Sequence, residues 1–129
     1  MQQKPIISVV DDDPSVREGA RDLLDAMGFD VETFASAQDF LDSYRLHVTQ
    51  CLISDMRMPG MSGLVLHAKL VAAGKNIPTI LITAFPNETD RARAQRDGIF
   101  CYLPKPFDAD TLLACLKSAL ASRTHGDHS

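Results

Sequence analysis

The sequence predicts one α/β domain built on a five-stranded parallel sheet with helices on both faces. Five short apolar or alternating segments, each of strand length, are separated along the chain by five segments with helical features. A strand, a helix and a further strand that follow one another connect through a right-handed crossover, which makes the strands parallel and covers both faces of the sheet. We therefore expect a three-layer sandwich whose strands all end at one edge of the sheet.

The first strand is predicted over residues 6–10, where Ile-Ile-Ser-Val-Val is almost wholly apolar. Asp13-Pro14 then supplies a helix N-cap and a proline at the first helical position, and Gly28 suits the end of that helix. Residues 30–34 alternate between polar and apolar, which is typical of an edge strand with one face in water. Ser36 begins a second helix, which we expect to carry Phe40, Leu41 and Tyr44.

The third strand is predicted over residues 51–54 and leads into a loop rich in proline and glycine. Ser62-Gly63 begins the next helix, and Gly74 ends it. The fourth strand is predicted over residues 77–83. Pro78 is acceptable there only because it lies near the start of the strand, since proline cannot donate a hydrogen bond to a neighbouring strand.

The last third of the chain completes the alternation. A polar helix is predicted over residues 87–97, and Gly98 ends it. The fifth strand is predicted over residues 99–103, and Asp108 caps the last helix. Leucines at helical spacing give that helix its apolar face: Leu112, Leu113, Leu116 and Leu120.

Composition is that of an ordinary globular domain. The chain has 129 residues, of which 45% are hydrophobic and 23% charged. We expect one domain over residues 1–122 and a polar tail over residues 123–129. The net charge of −4, without a basic block, argues against direct nucleic-acid binding by this domain. No apolar run approaches the ~20 residues that span a membrane, and three cysteines in apolar stretches suit reduced thiols in the cytoplasm.

Acidic residues follow two of the predicted strands. Asp11, Asp12 and Asp13 follow the first strand, and Asp55 follows the third. In a parallel sheet the site lies beyond the carboxyl ends of the strands, so these acids are expected to converge. Clustered carboxylates repel one another unless a cation neutralises them, and Mg²⁺ prefers such oxygen ligands. Taken without Asp55, the three consecutive acids could serve only to cap the following helix, which is the role we expect for Asp13.

Two further polar residues lie at strand ends. Thr83 ends the fourth strand, and Lys105 lies between Pro104 and Pro106 after the fifth. Taken alone, Thr83 would be an ordinary β-branched strand residue and Lys105 a solvated lysine of a loop. Next to the acids, the hydroxyl and the ammonium could instead bind a phosphoryl group. The Lys105-Pro106 bond is a candidate cis peptide bond.

Four segments together resemble one known family. They are Val9-Val-Asp-Asp-Asp13, Ser54-Asp-Met-Arg-Met-Pro-Gly-Met-Ser-Gly63, Leu81-Ile-Thr-Ala84 and Lys105-Pro-Phe107. In this order and spacing they resemble the receiver domain of two-component response regulators. The sequence around Asp55 and the Lys105-Pro-Phe107 segment are most similar to the FixJ-type subgroup. The resemblance implies a flavodoxin-like (βα)₅ fold with strand order 2-1-3-4-5.

The resemblance also implies roles for the site residues. Asp55 would be the phosphoacceptor, and Thr83 and Lys105 would contact the phosphoryl group. Mg²⁺ would be held by Asp11, Asp12, Asp55 and the main-chain carbonyl of Arg57. A sensor histidine kinase or a phosphotransfer protein would donate the group, and a homodimer could form through the last two helices and the fifth strand.

The resemblance further points to Tyr102, three residues before Lys105, as a switching aromatic. We expect this ring to turn inward on phosphorylation, and so to help control an output domain or partner, in line with transcriptional regulation. The ordinary reading of Tyr102 is a half-buried tyrosine on an edge strand.

Three other functions fit the same residues less well. A phosphorylation-independent adaptor of this fold would not need the intact set of acids, threonine and lysine. A small phosphatase with an aspartate nucleophile would need a second acid two residues after Asp55, where this chain has Arg57. A flavodoxin-like cofactor protein would bind phosphate at the turn after the first strand, which here is acidic and free of glycine. We therefore expect a phosphoacceptor rather than a true enzyme.

Overall fold

The structure is a computed structural model that describes residues 4–126, with only the backbone described for residues 123–126. Within this range five strands alternate with five α-helices. The strands are β1 (Ile6–Val10), β2 (Asp30–Phe34), β3 (Cys51–Asp55), β4 (Thr79–Thr83) and β5 (Cys101–Pro104). The helices are α1 (Pro14–Ala26), α2 (Ala37–Leu41), α3 (Gly63–Ala72), α4 (Glu88–Arg96) and α5 (Ala109–Gly126).

The strands form one parallel sheet in the order β2-β1-β3-β4-β5. The predicted fold class and strand order are therefore confirmed. Val10 pairs with Ser54, Asp55 with Ile82, and Thr83 with Pro104. Because these pairs lie at the carboxyl ends of their strands, the residues that follow them emerge at one edge of the sheet.

The core lies on both faces of the sheet, as the alternation of strands and helices predicts. Ile7 and Val9 of β1 belong to the cluster that packs against α1 and α5, whereas Val10 belongs to the cluster beneath α2 and α3. This division follows from the two-residue repeat of a strand, which points successive side chains to opposite faces. The Leu112 and Leu116 side chains of α5 are fully buried, in agreement with the predicted apolar face.

Strand boundaries differ from the prediction by one or two residues. β3 includes Asp55, so the predicted phosphoacceptor is the last residue of the strand. β4 begins at Thr79, and Pro78 therefore lies just outside the strand, where its carbonyl oxygen still accepts a 2.9 Å hydrogen bond from the Leu52 amide. β5 is displaced toward the C-terminus and ends at Pro104.

The prediction that Tyr44 belongs to the second helix was wrong. Helix α2 ends at Leu41, and a separate 3₁₀ helix runs from Tyr44 to His47. The Ser43 side chain accepts a hydrogen bond from the Arg45 amide at 3.1 Å, so a local side-chain bond starts a new turn in place of continued α-helix. Tyr44 is consequently 75% exposed.

The last helix extends beyond the predicted domain boundary. α5 continues to Gly126, so residues 123–126 of the predicted tail have a helical backbone. The remaining tail residues, 127–129, lie outside the described range. None of the helices described here combines the length and the apolar character that a membrane crossing requires.

Candidate functional site

Three carboxylates converge at the carboxyl edge of the sheet. Oxygen atoms of Asp11, Asp12 and Asp55 lie within 4.8 Å of one another. Asp11 is fully buried and Asp55 is 7% exposed, whereas Asp12 faces solvent. β1 and β3 are neighbours in the sheet, and this adjacency brings together acids that are separated by more than forty positions in sequence. The cluster is open to water on the side of Asp12.

Lys105 lies between the two buried acids. Its Nζ is 3.0 Å from Oδ2 of Asp11 and 3.4 Å from Oδ2 of Asp55. The Lys105 amide donates a 2.7 Å hydrogen bond to the Thr83 carbonyl oxygen, and the Lys105-Pro106 bond is cis, as predicted. Burial alone would lower the pKa of Lys105, but the two carboxylates outweigh that effect and raise it. Lys105 is therefore a fixed cation of the site.

One lysine does not neutralise the cluster. Burial and the charge of Asp11 raise the pKa of Asp55 above its ordinary value, although Lys105 opposes both effects. The Arg57 amide donates to Oδ1 of Asp55 at 3.4 Å, which is a long and weak contact. The site thus retains excess negative charge, which a bound cation would offset.

The donor atoms fit a hard divalent cation. Oδ2 of Asp11 is buried and, beyond its ion pair with Lys105, receives no hydrogen bond. Such an oxygen can serve as a ligand without loss of an existing hydrogen bond. Mg²⁺ takes oxygen ligands and keeps several waters, so a few carboxylates beside open solvent suffice. The side chain of Asp13 is not one of these donors, because it caps α1 by accepting a 2.9 Å hydrogen bond from the Ser15 amide, while the Asp13 amide donates a 2.9 Å hydrogen bond to Oδ1 of Asp11.

Thr83 ends β4 at the same edge of the sheet. The preceding residue, Ile82, pairs with Asp55. The side chain of Thr83 is buried, and its Oγ1 accepts a hydrogen bond from the Phe85 amide at 3.1 Å. This bond uses the oxygen as an acceptor and leaves the hydroxyl proton able to bind an anion.

Tyr102 is directed into the protein in this structure. The residue is 9% exposed, and its hydroxyl oxygen accepts a 3.3 Å hydrogen bond from the Asn87 amide at the start of α4. The guanidinium carbon of Arg91 lies 4.9 Å from the ring centroid, within the range of a cation–π contact. Tyr102 therefore joins β5 to α4 rather than lying half-exposed at an edge.

Sequence reasoning missed two features of the site. Only the main-chain carbonyl of Arg57 was expected to belong to the site, whereas the Arg57 guanidinium forms an ion pair with Asp90 of α4 at 2.9 Å. Sequence reasoning also treated Gly63 as a helix start, although a Cβ atom at this position would lie 2.6 Å from the carbonyl oxygen of Asp55. The Asn87-Glu-Thr-Asp90 spacing of a capping motif could have indicated a fixed Asp90, but no sequence signal reveals its partner.

Comparisons with known proteins find similarity over most of the chain. A family model described as the response regulator receiver domain matches residues 7–117. The chain is 35% identical over 123 residues to the C4-dicarboxylate transport transcriptional regulatory protein DctD of Rhizobium meliloti, an alignment that covers 95% of this chain and 27% of DctD. It is 36% identical over 120 residues to the transcriptional regulatory protein FixJ of Bradyrhizobium diazoefficiens, covering 93% of this chain and 58% of FixJ.

A solved structure of a response regulator is also similar to this chain. The response regulator StyR superposes on this chain with a TM-score of 0.88 at 44% sequence identity, covering 98% of this chain and 64% of the StyR chain. The chain thus spans less than two thirds of the length of each of these three relatives.

Proposed function

The chain belongs to the response regulator receiver domain family, and on this premise we propose that Asp55 accepts a phosphoryl group from a sensor histidine kinase or a phosphotransfer protein. The observation that supports this best is the placement of Lys105 between Asp11 and Asp55, beside an acid cluster that is open to solvent. That arrangement supplies a nucleophile, a fixed cation and ligands for a second cation at one edge of the sheet.

The proposed chemistry follows from these groups. A carboxylate oxygen of Asp55 attacks phosphorus, and the bond from phosphorus to the donor histidine nitrogen breaks. An ionised carboxylate has no proton to lose, so no general base is required. Lys105 neutralises charge on the transferred group, and the Thr83 hydroxyl donates a hydrogen bond to it. Asp11, Asp12, Asp55 and the Arg57 carbonyl oxygen would hold Mg²⁺, which supplies further charge neutralisation when bound.

We expect Mg²⁺ and acetyl phosphate to add one phosphoryl group to the wild-type protein and none to the Asp55→Ala variant. Intact-mass measurement detects the added group, and peptide mapping locates it. Asp13→Asn is a matched control, because Asp13 lies beside the cluster but its side chain only caps α1, so this variant should be labelled as the wild type is. Labelling of Asp55→Ala would overturn the assignment of the phosphoacceptor.

We also propose that phosphorylation stabilises the inward position of Tyr102. The chain has two tyrosines and no tryptophan, so in a Tyr44→Phe variant the fluorescence reports on Tyr102 alone. Quenching of this fluorescence by iodide should weaken when beryllofluoride and Mg²⁺ are added as an acyl-phosphate mimic. In Tyr102→Phe, where only the exposed Tyr44 remains, the mimic should leave quenching unchanged. Equal quenching of Tyr102 with and without the mimic would contradict the switch.

The output of the switch is proposed by similarity. DctD and FixJ are named as transcriptional regulatory proteins, and we propose that this receiver likewise controls transcription from the cytoplasm, through an output domain or a partner. A homodimer through α4, β5 and α5 is the proposed signalling form. We propose that the domain's own catalysis is confined to the phosphorylation and dephosphorylation of Asp55.

A further inference from the structure

The side chain of Arg57 is tied to α4. Its Nη2 lies 2.9 Å from Oδ2 of Asp90, which is 33 positions further along the chain. The Arg57 side chain is 60% exposed and that of Asp90 is 14% exposed, and the contact joins a single guanidinium nitrogen to the carboxylate. Because its cationic partner is exposed, the ion pair is weak, since water competes for the guanidinium. The ion pair is therefore one that a stronger anion could replace.

Asp90 keeps other contacts if Arg57 leaves. Its Oδ2 also accepts a 2.9 Å hydrogen bond from Nδ2 of Asn87, and its amide donates a 2.8 Å hydrogen bond to Oδ1 of the same residue. Asn87 is the N-cap of α4. The carboxylate thus remains hydrogen-bonded at the positive end of a helix, where a negative charge is favourable. Departure of Arg57 does not leave an unpaired buried acid.

Arg57 begins beside the phosphoacceptor. Its amide is 3.4 Å from Oδ1 of Asp55, so its flexible side chain starts next to the position of the phosphoryl group. Phosphorylation would replace one carboxylate charge with a group of nearly two negative charges and three acceptor oxygens. Lys105 is shared with Asp11, which is fully buried and also requires its charge. The guanidinium fork suits phosphate oxygens and can bind two of them at once.

We infer that the Arg57 guanidinium exchanges the Asp90 carboxylate for the phosphoryl group on Asp55. Arg57 is then a further phosphoryl-binding residue, and Asp90 is a positioning residue that competes for it. This inference rests on the proposed phosphorylation of Asp55. The exchange releases the first turn of α4 from the loop after β3, and the N-cap of that turn donates its amide proton to Tyr102. It therefore gives the phosphoryl group a direct route to α4 and β5.

The test is a double-mutant cycle on beryllofluoride affinity in the presence of Mg²⁺. Asp90→Asn removes the competing charge and keeps a side-chain oxygen for Asn87. Asp90→Asn should tighten binding by about two- to fivefold, the range expected for an ion pair whose cationic partner is exposed. Arg57→Gln should weaken binding, and Asp90→Asn should have no effect when combined with it.

Glu88→Gln is the matched control for Asp90→Asn. Glu88 lies in the same first turn of α4, but its side chain is 87% exposed and pairs with Arg91 at 3.9 Å. The effect of Glu88→Gln on beryllofluoride affinity should be the same with and without Arg57→Gln. If Asp90→Asn also acts equally in both backgrounds, the inference fails and the proposed function stands. If the wild type binds no beryllofluoride and accepts no phosphoryl group, both fail.

Discussion

Replacement of Lys105 by methionine should lower the free energy of unfolding by about 3 kcal/mol, the lower end of the range for the loss of one partner of a buried ion pair. The change leaves the fully buried carboxylate of Asp11 and the nearly buried one of Asp55 without their shared cation. On the proposed function it also removes the positive charge that would neutralise the transferred group, so labelling by acetyl phosphate should slow by about 100-fold. Urea unfolding and intact-mass kinetics measure the two effects separately.

The loss of stability in Lys105→Met should depend on pH in a defined direction. The pKa of Asp55 is already raised in the wild type by burial and by Asp11, and without Lys105 it should rise further. Between the ordinary and the raised pKa, the folded variant binds more protons than the unfolded chain, so its stability falls as the pH increases through this window. The difference from wild type should therefore be smallest in acid.

Lys69→Met, at an exposed position on α3, controls for the loss of one positive charge elsewhere. It should leave both stability and labelling close to those of the wild type. If Lys105→Met has no larger effect than Lys69→Met at neutral pH, Lys105 does not stabilise the acid cluster.

The position of the acid cluster could be predicted because it depends on topology alone. One run of strand length stops at Val10, directly before Asp11 and Asp12, and another ends at Asp55. All three acids are therefore placed at the ends of strands. Parallel strands end at a common edge, so the convergence of Asp11, Asp12 and Asp55 follows without knowledge of any side-chain conformation. The same reasoning predicted Lys105 at this edge, although not its position between two carboxylates.

The features that could not be predicted depend on close contacts between distant residues. The Arg57–Asp90 ion pair joins a side chain of the loop after β3 to a side chain of α4. The distance between the two depends on how α4 packs against the sheet.

Tyr44 illustrates a different limit. Its sequence position suits a continued helix, but one hydrogen bond from the Arg45 amide to the Ser43 side chain accompanies a new turn. The spacing of apolar residues does not reveal such a small energetic preference for a new turn over continued helix.

Substitution of Gly63 by alanine should displace Asp55, the proposed phosphoacceptor. A Cβ atom at this position would lie 2.6 Å from the Asp55 carbonyl oxygen and 2.6 Å from Cδ2 of Leu81. The leucine side chain can rotate, but the carbonyl oxygen belongs to the backbone of β3, so either α3 or the end of β3 must move. We expect a loss of about 1–3 kcal/mol of stability, typical of overpacking. Labelling of Asp55 should slow by about 100-fold, because such chemistry is sensitive to displacements near 1 Å.

Gly19→Ala provides the contrast that separates this close approach from the general effect of replacing a helical glycine. Gly19 lies within α1, and apart from its chain neighbours and the backbone of its own helix a Cβ atom there meets nothing within 4 Å. Alanine at position 19 should therefore stabilise the protein by about 0.5–1 kcal/mol and leave labelling unchanged. Urea unfolding and acetyl phosphate kinetics on both variants make the comparison. If Gly63→Ala is as stable and as readily labelled as Gly19→Ala, α3 can withdraw from β3 without moving Asp55, and the requirement for glycine at this contact is wrong.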